Sequence, residues 1–168
     1  MPFYKRSGQS GFTLVELLIV VIILAVLASV AIPQFSSSTD DAKSAALDST
    51  LAEMRNAIEM YYHQHNEYPS SKAAGGSFGA VDTSDAFTNQ LIMYTDSDGT
   101  VSTTKDATHK YGPYLKKQQL PANPLDESTA LLIVTTGNLS ATGTDAGGWW
   151  FDNVSGKFMA NKAGNYNR

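Results

Sequence analysis

The amino-acid sequence predicts an α+β fold: one long N-terminal helix, apolar in its first half and amphipathic in its second, packed on a small antiparallel β-sheet. Three observations predict it. Residues 12–31 (FTLVELLIVVIILAVLASVA) form an apolar run of helical length interrupted only by Thr13, Glu16 and Ser29. Leu47, Leu51, Met54, Ile58 and Tyr61 then recur at spacings of 4, 3, 4 and 3, the mark of one buried helix face. Beyond Pro69 the chain changes character, with Gly, Ser and Pro clusters separating short β-prone runs.

Composition narrows the function. The 168 residues include no cysteine, so disulfides, thiolate metal sites and thiol nucleophiles are out of reach. A net charge of −4 without a basic stripe argues against nucleic acid as the main partner. No repeat of solenoid period is present. Charge is uneven at the front, where residues 1–11 (MPFYKRSGQSG) carry Lys5 and Arg6 and no acid. That segment reads as an address to be removed, not as part of the fold.

A helix over residues 12–31 spans roughly 30 Å, the thickness of a bilayer's hydrocarbon core. Lys5 and Arg6 favour a cytoplasmic N-terminus. Three readings fit. In an ordinary signal peptide, residues 17–28 form the apolar core, and cleavage after Ser29-Val30-Ala31 releases a soluble binding protein starting at Ile32. A plain signal anchor tolerates the same span. Neither has a use for Glu16, since an ionisable group in a membrane segment is costly and persists where a partner neutralises it. The third reading gives it one. If the chain is cut between Gly11 and Phe12, the new α-amine of Phe12 is a cation one turn from Glu16. The amine of one subunit then pairs with Glu16 of a neighbour when such helices bundle, which also sets their stagger. Glu16 is then an assembly residue.

The string Lys5-Arg6…Gly11-Phe12-Thr13-Leu14-Val15-Glu16 resembles the class III leader of type IV pilins and type II secretion pseudopilins. The resemblance is tight from residue 5 to about residue 35 and holds only in outline beyond. It implies that a membrane prepilin peptidase cuts after Gly11 and methylates Phe12. It places Glu16 at the family's glutamate and Pro33 at a proline that many members carry. It implies a structural filament subunit, single-pass in the bacterial inner membrane with its N-terminus cytoplasmic. The C-terminal region would be periplasmic or part of an extracellular filament. The implied partners are copies of itself, minor pilin-like subunits, the prepilin peptidase and the inner-membrane assembly platform. Tyr114-Leu115-Lys116-Lys117…Leu120-Pro121 further resembles the G-type major pseudopilin. The Asp-Pro-Trp-Gly-Asn-Pro that usually follows is replaced by Asn123-Pro124-Leu125-Asp126, and the acidic calcium-site tail is not recognisable. Many pilins close a C-terminal loop with a disulfide, which this chain cannot. The sequence therefore leans to a pseudopilin, with a pilin for adhesion, motility or DNA uptake as the alternative.

The expected organisation is a leader over 1–11, a transmembrane and assembly helix over 12–33, an amphipathic helix over 34–68 and a globular region over 69–168. Pro33 lacks an N–H and crowds the preceding turn, which predicts a kink or local break. Ser36, Ser37, Ser38 and Thr39 follow as poor helix formers. Pro69 predicts a helix end at or just before Tyr68. Residues 70–84 read as a loop. Asp85 is expected to cap a short helix with Phe87, Leu91 and Tyr94 on one face, ended by the Asp98-Gly99 turn. Residues 130–135 read as a strand followed by a Gly137-Asn138 turn. A hairpin is expected from residues 149–151 and 157–161, with Trp149, Trp150 and Phe151 alternating between core and surface.

Other site signals are weak. Residues 96–100 (DSDGT) begin like a calcium loop, but Ala107 stands where the twelfth-position acid belongs. Asp96 and Asp98 are thus the only metal candidates, in what reads more simply as a turn. His63 and His65 are two apart on a helix, not i, i+4, and do not share a metal. The glycines of residues 75–79 lack the Lys-Ser/Thr of a phosphate loop. Asn138-Leu139-Ser140 and Asn153-Val154-Ser155 have the form of glycosylation acceptors. No Ser-His-Asp set, paired acids or HExxH can be assembled, so the sequence reads as a non-enzyme requiring no cofactor.

Overall fold

A computed structural model describes residues 11–139 and 146–164, with the side chains of residues 31–37 outside that description. Lys5, Arg6, Ser140 and the side chain of Pro33 therefore lie outside the described residues. Helix α1 runs from Leu14 to His65 as one element of 52 residues. It continues through Pro33 as one element, so of the kink or local break predicted there no break occurs. A proline removes one rung from a helix's ladder, and a helix this long retains the rest. The chain divides into two compact units, Met1–Ala42 and Lys43–Arg168.

Within the second unit α1 delivers the face that its periodicity predicts. Leu47, Leu51, Met54, Ile58 and Tyr61 are all buried, joined by Ala57. Each buried aliphatic side chain of this size contributes about 1.5–3 kcal/mol. The helix ends because Asn66 adopts φ 55°. Its N–H turns back to Tyr62 O at 2.7 Å. Asn tolerates this left-handed conformation better than most residues, and the bond caps an otherwise open carbonyl.

Helix α2 spans Ser84–Ile92. Its N-cap is Thr83 and not the expected Asp85: Thr83 Oγ1 accepts from Ala86 N at 3.2 Å. Asp85 lies in the first turn, where its charge still suits the helix dipole. Phe87 and Leu91 are buried as predicted. Tyr94 is not on their helix face, because α2 stops at Met93 and Tyr94 opens strand β1 (Tyr94–Thr95), paired antiparallel with β2 (Val101–Ser102). Thr95 also exchanges backbone bonds with Tyr111 at 3.0 and 3.1 Å.

The second sheet is mixed, which corrects the antiparallel expectation. Strand β3 (Leu131–Val134) lies parallel to β4 (Trp149–Asp152), and β4 lies antiparallel to β5 (Phe158–Ala160), in the order β3-β4-β5. A parallel neighbour needs a crossover of about a dozen residues or more, and the stretch between β3 and β4 meets that length. Gly148 makes the tight approach possible. It has φ 70°, and a Cβ there would stand 2.2 Å from Ala130 O.

Trp149, Phe151 and Phe158 enter one core with Phe87 and the α1 face. Trp149 and Phe158 approach at 5.1 Å between ring centroids, and Phe87 and Phe151 at 4.6 Å. Trp149 Nε1 donates to Pro121 O at 2.7 Å, which gives the Pro-punctuated segment a structural task. Trp150 also corrects the expectation. Its direction alternates, since it pairs across the sheet with Leu132 and Met159, but it too is buried. Arg55 joins helix to sheet through Nε and Nη2, which donate to Phe158 O at 3.2 and 3.0 Å.

Candidate assembly site at the start of the long helix

Gly11, Phe12 and Thr13 precede α1 as non-helical chain, and Phe12 is 85% exposed. Thr13 occupies the N-cap, its carbonyl accepting from Leu17 N at 3.2 Å. The next bonds are reciprocal. Glu16 N donates to Thr13 Oγ1 at 3.2 Å, while Thr13 N donates to Glu16 Oε2 at 2.9 Å. The Thr13 hydroxyl donates to the same Oε2 at 2.8 Å. This is a capping box, which satisfies two backbone donors that a helix N-terminus otherwise leaves open.

The sequence reading missed this second role for Glu16, although Thr13-x-x-Glu16 is its signature. The two roles do not exclude each other. Thr13 supplies hydrogen bonds but no positive charge, and among the described residues Glu16 has no ion-pair partner. A carboxylate held this way is oriented by Thr13.

Behind the cap every large apolar side chain from Phe12 to Val30 is more than half exposed. Such a helix, apolar all round, needs lipid or other helices to cover it. No helix among the described residues is long and apolar enough by itself to cross a membrane.

The remaining candidates resolve differently. Asp96 Oδ1 accepts from Asp98 N at 2.9 Å and from Thr100 N at 2.8 Å, closing its own turn. Asp98 lies 3.9 Å from Lys72 Nζ. The described residues contain no cluster of three or more His, Asp or Glu suited to a metal. Asn153 is buried, and its Nδ2 donates to Asp82 Oδ1 at 2.6 Å, so it is not presented for modification.

His65 is built into the fold. One ring nitrogen lies 3.0 Å from both Tyr114 Oη and Thr95 Oγ1, the other 3.4 Å from Ser97 O, and the ring stacks on Tyr61 at 4.1 Å. Burial holds its pKa below the usual histidine value, helped by Lys72 and opposed by the Ser97 carbonyl, Asp96 and Glu67. The folded state therefore binds this proton less readily than the unfolded chain. The contribution is fully present above the ordinary value of about 6.5 and is lost as pH falls below it. Thermal unfolding of the detergent-solubilised chain should show a lower Tm at pH 5 than at pH 7.5. His65→Gln should narrow that difference, and an unchanged difference would remove His65 as its source.

Residues 6–32 match the family described as the prokaryotic N-terminal methylation motif. The chain is 38% identical over 68 residues to the type II secretion system core protein G of Pseudomonas aeruginosa, covering 40% of this chain and 48% of that one. It is 36% identical over 68 residues to the core protein G of Aeromonas hydrophila, covering 40% and 48%. It is 29% identical over 112 residues to a fimbrial protein of Neisseria meningitidis serogroup B, covering 67% and 64%. The chain thus spans about half the length of the secretion proteins it matches. No solved structure matches. The methylation motif, the capped apolar helix behind it and relatives of both kinds make the chain similar to pilins and pseudopilins.

Proposed function

We propose that the chain is a structural subunit of a type IV pilus-like filament, in the form of a pseudopilin of a type II protein secretion system. The observation that carries this is the start of α1, where the Thr13–Glu16 cap and an uncovered apolar helix stand directly behind the Gly11-Phe12 junction. Before assembly lipid covers that helix and the chain crosses the inner membrane once, N-terminus inside; in the filament neighbouring helices replace the lipid. Copies of this chain, minor pilin-like subunits, the prepilin peptidase and the assembly platform are the partners in this reading. The secretion reading draws support from the several relatives named core protein G. A pilus subunit is the second reading, supported by a fimbrial relative that aligns over 67% of this chain.

The test is the mature N-terminus, measured by mass spectrometry on protein from its own membrane or shear fraction. A chain starting at Phe12 with one added methyl is the expected result. A chain starting at Ile32 would replace the filament reading with an exported soluble protein. In the same assay Gly11→Leu should leave the full-length precursor in the membrane, because bulk at that position blocks the peptidase. Processing of that variant at normal yield would argue against cleavage after residue 11.

A further inference from the structure

We propose that the outer edge of β3 is a strand-addition surface for a neighbouring copy of this chain; the inference rests on the filament reading. Trp149 donates its N–H to Ala130 O, and Asn153 its N–H to Val134 O. In a parallel ladder the residues facing the partner alternate, so Leu132 also turns its backbone to β4. Leu131 and Ile133 turn their N–H and C=O the other way. β3 is terminal in the sheet, and no described strand pairs with that side. Beside it lies a cleft of about 440 Å³ between the start of β3 and the first turn of α2, lined among others by Asp85, Thr88, Gln118, Thr129 and Leu131.

The sequence of this edge suits it to a second copy. Proteins that leave an edge open blunt it with a lysine, a proline or a bulge. Residues 129–139 (TALLIVTTGNL) contain no charge and no proline, and Leu132 is 42% exposed. An uncharged β-prone edge is an aggregation hazard in a chain that works alone. It becomes a usable contact where copies stand side by side on a shared bundle of helices, at an effective concentration of order millimolar. Only an extended backbone can meet the alternating donors and acceptors of Leu131 and Ile133. A head-to-tail contact of this kind also propagates along a fibre without closing on itself.

Residue-resolved hydrogen exchange on the full chain tests it, comparing detergent-solubilised subunits with sheared filaments. The Leu131 and Ile133 amides should exchange quickly in the subunit and about a hundredfold or more slowly in the filament, whereas the Leu132 amide should be protected in both. Fast exchange of the two amides in both states would overturn the proposal. Protection already present in the dilute subunit would do so too, by showing that the chain covers its own edge. Leu132→Lys should lower filament yield about tenfold with the subunit's Tm unchanged, and normal yield would count against strand addition. Electron microscopy reports separately whether filaments form at all. If none do, the filament reading fails, and the same amides are followed across a concentration series of subunits. Protection that rises with concentration then upholds the edge contact, and its absence overturns it.

Discussion

Glu16→Leu is expected to leave a chain that is inserted, cleaved and methylated normally but yields no filaments. Hydrophobicity only rises, so membrane insertion does not suffer. What is lost is the bond that closes the helix start onto Thr13 and, in the proposed filament, the negative charge that would meet a neighbour's new α-amine. Two further variants separate them. Glu16→Gln retains an acceptor for Thr13 N, as glutamine serves in capping boxes, but carries no charge. Thr13→Val removes the hydroxyl that accepts from Glu16 N and donates to Oε2, while leaving the charge in place. If the charge drives assembly, Gln fails like Leu and Val assembles at reduced yield. If orientation of the first turn is what matters, the order reverses. Filament mass sedimented per unit of processed subunit is the measurement. Normal yield from Glu16→Gln would sink the amine–carboxylate pairing and leave the capping box as the sole role of Glu16.

What could be read from the sequence followed from how locally each feature is encoded. The buried face of α1 was legible because a 3.6-residue period repeats over four turns, and Leu47 through Tyr61 sit where it puts them. The capping box is equally local in Thr13-x-x-Glu16, but an interruption of an apolar run and a leader motif draw the eye to Thr13 first, and the charge of Glu16 draws the explanation toward a neighbour. The sheet was legible as strands but not as a topology. Alternation within residues 131–134 says which side chains share a face and nothing about direction, so the parallel partner could not be read from it. The pair Tyr94–Thr95 is too short to carry a period at all, and Tyr94 was assigned to the preceding helix for that reason. Trp150 was placed half outside by alternation, which holds for its direction; its burial depends on what lies on the other face.

Gln90→Leu should destabilise the globular region strongly, although it changes no residue of the aromatic core. Nothing in the sequence marked Gln90, a polar residue in the middle of a short helix, yet it is fully buried. Its Oε1 accepts from Ser70 N at 2.7 Å, and its Nε2 donates to Lys72 O at 3.1 Å and Gly99 O at 2.9 Å. One side chain thus stands in for the missing secondary structure of two loops and pins both to α2. The fit is close. Gly99 has φ 83°, and a Cβ there would lie 2.5 Å from Tyr61 Oη and 3.0 Å from Gln90 Nε2. Leucine fills the space but leaves Ser70 N and Gly99 O buried without partners, at about 1–3 kcal/mol each. A total of about 4 kcal/mol is a large part of the 5–15 kcal/mol typical of a domain. It corresponds to a fall in Tm of roughly 10–20 °C. Gln90→Glu should do no better, because it removes both amide donors and sets a carboxylate against two carbonyl oxygens. Calorimetry of the solubilised chain decides it. A Tm within about 3 °C of the wild type in Gln90→Leu would mean that the two loops hold their positions without this hub, and that water or rearrangement supplies what the amide now does.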